Sequence, residues 1–146
     1  LSEVADNQYV MVFMWHSLEH VPLLETTINE VYKKIKDNGS LIIAVPNHKS
    51  FDSIYYKEAW AALDAPRHLW HFTTSSIKKI MLKYKFKLKR SFSLPLDAYY
   101  ISYLSAKNKK SPLPITEGIL IGTVSNLIGI FSGQFSSSTY VFRKNS

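Results

Sequence analysis

Two entirely apolar segments on either side of a helical pattern restrict what this chain can fold into. Residues 9–15 (YVMVFMW) and 41–45 (LIIAV) are rich in β-branched and aromatic residues, as is typical of strands covered on both faces. Between them, apolar residues recur at helical spacing, at Leu24, Ile28, Val31 and Ile35. Gly39 is predicted to end this helix in the left-handed conformation. The order strand, helix, strand predicts two parallel strands, the first of them in the interior of a sheet.

The remaining residues continue an α/β pattern. Residues 48–72 form a segment long enough that it should carry some helix of its own. Thr73 or Thr74 can cap a helix, and the alternation of apolar and basic residues over 86–92 predicts a strand near a sheet edge. A helical stretch and a final short strand at residues 140–142 complete the predicted order.

Composition narrows the class of protein. The chain has 146 residues and no cysteine, which excludes disulfides and thiolate metal sites. Its net charge of +7 is uneven, with −4 on residues 1–64 and +11 on residues 65–146. Nucleic acid or an acidic membrane could be a partner of the basic half, although lysines on a solvated face explain the pattern more simply. Residues 115–131 are apolar but short, and they contain Glu117 and Asn126. They predict a packed or interfacial helix and no membrane span.

A polar turn follows the first predicted strand. Ligands of open parallel sheets bind at the carboxyl ends of the strands, where His16, Glu19 and His20 would lie. The letters H-x-x-E-H also fit the inverted zinc-protease pattern, but Pro22 disfavours the long helix that this pattern requires. A third interpretation is that Glu19 and His20 only form hydrogen bonds across the turn and cap the following helix.

The order of these parts resembles class I S-adenosylmethionine-dependent methyltransferases. Leu-Glu-His-Val-Pro at 18–22 and Asp-Asn-Gly-Ser-Leu-Ile-Ile-Ala-Val-Pro-Asn at 37–47 are similar to the regions around the fourth and fifth strands. Ala-Pro-Arg-His-Leu-Trp-His-Phe-Thr at 65–73 resembles a segment of the branch related to ubiquinone-type O-methyltransferases. The resemblance covers nearly all of the chain.

The resemblance implies a fold that is the C-terminal half of a Rossmann-like α/β sheet. It would contain strands 4, 5 and 6 and an antiparallel strand 7 beside strand 5, with helices on both faces. Residues 1–146 would form a single partial methyltransferase domain. Within it, 48–73 would be a loop on the active-site side and 94–136 a helical insertion before the last strand.

The resemblance also implies a function, namely methyl transfer from S-adenosylmethionine to a small-molecule acceptor in the intact protein. None of the five glycines lies between a strand and a helix, where a loop that approaches the cofactor needs them. Residues 1–146 alone are therefore expected to bind the cofactor weakly or not at all and to be inactive.

Candidate site residues follow from the same resemblance. The cofactor would contact Met14, Trp15 and His16, and the substrate would contact Asn47, Arg67 and His68. His16 and His20 are the catalytic candidates, with His16 as a general base because imidazole titrates near neutral pH. Arg67 and His68 would bind an anionic group or cap local backbone.

No metal is assigned to the turn. Acidic and histidine residues at this position hold a divalent cation in ubiquinone-type O-methyltransferases, but His16 replaces an acid here, and magnesium prefers oxygen ligands.

Other functions remain as alternatives: a non-catalytic interaction module, or a nucleic-acid-binding module that retains the half-fold. Binding to nucleic acid is not expected, because no motif of a known RNA-binding module is present. An uncovered edge of the first strand could pair with a second copy, which predicts a homo-oligomer of the fragment. The expected location is the cytoplasm.

Overall fold

The computed structural model describes residues 4–145 and contains four strands and five α-helices. The strands are β1 (Tyr9–Trp15), β2 (Ile35–Pro46), β3 (Phe86–Ser93) and β4 (Ser137–Lys144). The helices are α1 (Leu24–Lys34), α2 (Phe51–Tyr56), α3 (Thr74–Lys83), α4 (Pro95–Asn108) and α5 (Pro114–Ser132). Short 3₁₀ turns lie at Leu18–His20, Lys57–Ala59 and Ala61–Leu63.

The strands form one sheet in the order β1-β2-β4-β3. β1 and β2 are parallel, whereas β4 lies between β2 and β3 and is antiparallel to both. The predicted α/β class is therefore confirmed, including the two parallel strands, the edge position of β3 and the insertion of the last strand beside β2. β4 is longer than the predicted residues 140–142.

The interior position expected for β1 refers to the sheet of the intact protein and stays a prediction, whereas the uncovered edge expected for this part alone is observed. Within residues 4–145, β1 has a neighbouring strand on one side only. Val12 and Met14 pack against the main core, while Phe13 and Trp15, which project from the opposite face, are 61% and 56% exposed. An apolar run indicates that both faces of a strand favour burial. It does not indicate which other residues cover those faces, or whether they belong to residues 4–145. The prediction holds for β2, where Ile43 and Ala44 project from opposite faces and are both fully buried.

The junction between α1 and β2 also differs from the expectation. α1 ends at Lys34, and it is Asn38, at φ +61°, that takes the left-handed conformation predicted for Gly39. Gly39 is needed for space, because a Cβ atom there would lie 2.5 Å from Cγ2 of Ile35 and 2.9 Å from the carbonyl oxygen of Val10. The same segment shifts the register of β2 against β1.

Two apolar clusters stabilise the fold. The first joins the sheet to α1 and α3 through residues such as Ile28, Ile43, Ile77 and Phe142. α3 begins with the predicted cap: the Thr73 hydroxyl accepts a hydrogen bond from the Ser76 amide and the Ser76 hydroxyl accepts one from the Thr73 amide. The second cluster links the 48–73 segment, which carries α2, to α4 and α5 through Trp60, Ile101 and Ile121 among others.

A buried carboxylate stabilises the second cluster through hydrogen bonds. Asp52 is fully buried and accepts hydrogen bonds from the Trp60 indole at 2.8 Å, the Ser125 hydroxyl at 2.6 Å and the Ser136 hydroxyl at 2.7 Å. It thereby joins α2, α5 and the segment that leads into β4.

α4 and α5 pack unusually closely. A Cβ atom on Gly118 would lie 2.6 Å from the Tyr103 Cα atom, and one on Gly122 would lie 2.9 Å from the Tyr99 Cα atom. Among residues 4–145, α5 is the one helix whose length and composition would suffice to cross a membrane, a test that core helices of other proteins also pass.

Candidate functional site

A cleft opens at the carboxyl ends of β1 and β2. Its volume is about 450 Å³, within the range of small-molecule sites. β1 and the turn after it supply one wall, the 61–68 segment a second and α4 a third. The lining residues are Trp15, His16, Glu19, Pro46, Ala61, Ala62, Asp64, Arg67, His68, Asp97, Tyr100, Ile101 and Leu104.

His16 enters the cleft because of its backbone. Its amide donates to the Ala44 carbonyl at 2.9 Å, so it is still tied to β2, but its φ of +44° turns the chain sharply at the end of β1. A left-handed conformation is costly for a residue with a Cβ atom and persists where neighbouring contacts enforce it. Here those contacts are two carboxylates: Nε2 of His16 lies 3.1 Å from Asp97, and Nδ1 lies 3.4 Å from Glu19.

The two carboxylates determine the charge of His16. The hydrogen bond to Asp97 and, next, the proximity of Glu19 raise its pKa from 6.5 to about 9, against the opposing effect of burial. At neutral pH the imidazole is therefore a cation with a carboxylate beside each ring nitrogen. This arrangement disfavours the predicted role of His16 as a general base, because neither nitrogen is free to accept a proton.

Glu19 is 1% exposed and lies at the base of the cleft. Neither of its carboxylate oxygens accepts a hydrogen bond from any residue in 4–145. Its carbonyl oxygen accepts hydrogen bonds from the Leu69 and Trp70 amides at 2.8 and 3.2 Å. These bonds hold the segment with the Ala-Pro-Arg-His sequence against the turn that follows β1.

Glu19, His20 and His68 place one potential ligand atom each within 4.8 Å of one another. Nδ1 of His20 faces the Arg67 carbonyl at 3.0 Å, which leaves its Nε2 for other contacts. Nδ1 of His68 faces the Ala62 carbonyl at 2.7 Å, and its Nε2 lies 3.8 Å from Asp64. Among residues 4–145, these three form the group that could hold a metal ion. The inverted zinc-protease interpretation fails, since residues 18–20 form a single 3₁₀ turn and no long helix.

The structure brings only some of the predicted site residues together. Trp15, His16, Arg67 and His68 line the cleft, whereas Met14 and His20 do not. Arg67 donates to Asp64 at 2.8 and 3.1 Å, which fixes its guanidinium beside the opening.

Asn47 was predicted to bind substrate, but it lies outside the cleft lining and is 2% exposed. Its amide nitrogen donates to the Gln134 side chain and the Phe135 carbonyl, and its side-chain oxygen accepts from the Lys49 amide. Asn47 thus stabilises the start of the 48–73 segment and the approach to β4.

Sequence reasoning missed the contribution of α4. Asp97 and Tyr100 line the cleft, yet the local pattern around Asp97 indicates only the first turn of a helix. Its partner His16 is 81 positions away. No local signal connects the two residues.

Comparisons with known proteins agree with this geometry. A family model described as a methyltransferase domain matches residues 2–90. No curated protein matches the sequence. The fold resembles a SAM-dependent methyltransferase from Thermotoga maritima, with a TM-score of 0.64 and 16% identity over 98% of this chain and 59% of that one.

Two further structures extend the comparison. Phosphoethanolamine N-methyltransferase 2 of Haemonchus contortus, solved with S-adenosyl-L-methionine, has a TM-score of 0.57 at 17% identity over 99% of this chain and 35% of its own. The cyclase SpnF has a TM-score of 0.58 at 12% identity over 98% of this chain and 52% of its own. This chain spans less than two thirds of the length of these structures. Both the matched sequence and the order of the strands lead to one conclusion: the chain belongs to the methyltransferase-domain family.

Proposed function

We propose that the protein containing this chain transfers a methyl group from S-adenosylmethionine to a small-molecule acceptor bound in the cleft between β1 and α4. The observation that carries the proposal is the position of this cleft at the carboxyl ends of β1 and β2, in a chain whose residues 2–90 match a methyltransferase domain. A likeness of fold alone would not suffice, since a cyclase has the same architecture.

The residues present fit one wall of a cofactor site. Trp15 offers a large, half-exposed aromatic surface at the end of β1, beside the cleft. His16 and the adjacent backbone would approach the cofactor from the same side. S-adenosylmethionine supplies an electrophilic methyl group on a positively charged sulfur, and the carboxylates of Glu19 and Asp97 place negative charge near the site.

On this proposal His16 is a positioning residue. Its cationic ring holds the Asp97 carboxylate at 3.1 Å and the Glu19 carboxylate at 3.4 Å, and so connects α4 to the end of β1. The wall of the cleft that faces the acceptor would then keep its shape when the acceptor binds, which favours alignment of the two reactants. Arg67, at the opening, remains available to contact an anionic part of the acceptor.

The experiment uses the full-length protein and calorimetric titration with S-adenosylhomocysteine. We expect binding by the intact protein, a reduction of about tenfold or more in the Trp15→Ala variant because of lost aromatic contact area, and little or no binding by residues 1–146 alone. Leu82→Ala, an exposed residue on α3, serves as the matched control and should bind as the wild type does.

Methyl transfer itself is measured as release of S-adenosylhomocysteine in the presence of a low-molecular-mass fraction of cell extract. Turnover that requires the extract supports a small-molecule acceptor. An intact protein that binds no S-adenosylhomocysteine, or residues 1–146 that bind it as tightly as the intact protein, would contradict the proposal.

A further inference from the structure

Helix α5 is mainly apolar and has no continuous polar side, but it is covered on one side only. Its buried side consists mainly of the small residues Gly118, Gly122, Ser125 and Gly129. Gly118 and Gly122 face α4, Gly129 faces Phe135, and Ser125 binds Asp52 of α2. Only 28% of its most apolar 18-residue stretch is buried within residues 4–145. A helix without a polar side is stable where its surroundings are apolar on every side, so this one has a face that favours a further apolar contact.

The exposed face is continuous with a tyrosine-lined edge of α4. We call the following six exposed residues the α5 surface: Tyr100, Ile115, Ile119, Leu120, Leu127 and Phe131. Phe131 is 90% exposed. Between the two helices, Tyr99, Tyr100 and Tyr103 line a shallow groove with Ile115 and Ile119. Contiguous apolar patches of this kind on a protein surface mark contact with a partner or a membrane.

Charge next to the α5 surface is positive. Three exposed lysines lie here: Lys107 in the last turn of α4, and Lys109 and Lys110 in the turn that leads to α5. From residue 98 to the end of the chain the sequence holds one acidic residue, Glu117, and that carboxylate lies 3.3 Å from Lys109. The α5 surface therefore combines apolar side chains with a basic flank.

We propose that the α5 surface binds the interfacial region of an anionic lipid bilayer, with α5 lying along the membrane plane. Lipid tails would cover the aliphatic and phenyl side chains, tyrosines would lie at the headgroup level, and the basic turn would contact anionic headgroups. The close packing of Gly118 and Gly122 against α4 keeps one side of α5 on the protein, which fits a helix that lies in the interface and does not cross it.

Charge favours lipid over a second copy as the occupant. A second copy would offer the α5 surface the same exposed lysines and, from residue 98 on, no acidic residue but Glu117, whereas an anionic bilayer offers a counter-charge. A zwitterionic bilayer could bury the same side chains but would give the lysines no counter-charge.

The test is co-sedimentation of the full-length protein with vesicles of phosphatidylcholine alone or of phosphatidylcholine mixed with phosphatidylglycerol. We expect binding to the mixed vesicles at least about tenfold stronger than binding to the neutral ones, and a decrease as salt is added. Equal binding to both, or binding to neither, would overturn the proposal.

Variants locate the contact. Leu127→Ser combined with Phe131→Ser should weaken binding to the mixed vesicles by about tenfold or more, since both side chains lose their apolar burial. Leu82→Ser, at an exposed position on α3, is the matched control and should bind as the wild type does.

Lys107→Gln with Lys110→Gln should weaken binding by about tenfold, while Lys78→Gln with Lys79→Gln, the same loss of charge on α3, should have a much smaller effect. If the two charge variants weaken binding equally, net charge alone explains the attraction and the assignment to the α5 surface fails. Sedimentation of the protein without lipid adds a further criterion: a dimer that dissociates in the Phe131→Ser variant would mean that a second copy covers this face.

Discussion

Nε2 of His16 lies 3.1 Å from Oδ2 of Asp97, so the turn that ends β1 is joined to the first turn of α4 across 81 positions of sequence. Two walls of the cleft thus meet in a single ion pair. Glu19, on the other side of the imidazole, extends the contact to a buried carboxylate.

The first prediction concerns the pKa of His16. The Asp97→Asn variant loses the largest cause of the raised value, so we expect the pKa of His16 to fall from about 9 toward the ordinary 6.5. NMR titration of the His16 Cε1 proton measures it directly. The pKa of His16 should change far less in a Glu58→Gln variant, because Glu58 is an exposed carboxylate of the Lys57–Ala59 turn.

A second prediction follows for stability as a function of pH. Because the folded-state pKa of His16 is raised, the stabilisation that it provides is fully present below about pH 6.5 and is lost as the pH rises through about 9. The Asp97→Asn variant should therefore be less stable than the wild type by on the order of 1–2 kcal/mol near pH 6, allowing for solvent screening, and the gap should shrink near pH 10. Urea unfolding at the two pH values measures the gap. A difference that stays constant with pH would mean that the charge of His16 plays no part.

The third prediction concerns Asp52. Asp52→Ala leaves the Trp60 indole and the Ser125 and Ser136 hydroxyls without their acceptor in a buried location, and we expect a loss of about 2–4 kcal/mol in the free energy of unfolding. Denaturant unfolding followed by Trp fluorescence is a suitable measurement. Glu58→Ala removes an exposed carboxylate from the same segment and should change stability by no more than about 0.5 kcal/mol. A loss below about 1 kcal/mol for Asp52→Ala would show that water can replace the carboxylate.

The fourth prediction tests the packing of α4 against α5. Gly118→Ala adds a Cβ atom 2.6 Å from the Tyr103 Cα atom, so the helices must separate. Although alanine favours a helix over glycine by about 1 kcal/mol, we expect a net loss of about 1–2 kcal/mol in thermal or chemical unfolding. Thr116→Ala, at an exposed position on α5, should be neutral or slightly stabilising. Stabilisation by Gly118→Ala would indicate that the two helices have room to separate.

The sequence predicts the fold better than it predicts the site. Patterns with a local cause, such as the apolar run of β2 and the cap at Thr73, appear in the structure as expected. The position of β1 at the end of the sheet depends on which other segments supply its cover, and an apolar run contains no information on that point. Gly39 is a similar case, since the constraint on it comes from the Val10 carbonyl and not from a helix end.

The site residues divide in the same way, into those with a local sequence signal and those placed by distant packing. Trp15 and His16 could be identified because a strand end in a parallel sheet is a recognisable place. Asp97 and Tyr100 could not, because α4 reaches the cleft through tertiary packing, on the 61–63 turn among other elements, and no local pattern records that packing. The proposed role of His16 as a base depended on an ordinary imidazole pKa, which the distant Asp97 alters.

The glycines of α5 have a mechanical consequence. Because Gly118 and Gly122 bring the backbones of α4 and α5 into direct contact, the two helices have little freedom to slide independently, and Asp97 is part of the same rigid pair. A displacement of α5 is therefore expected to move α4 as well, and the NMR signal of His16, which lies 3.1 Å from Asp97 of α4, would report it.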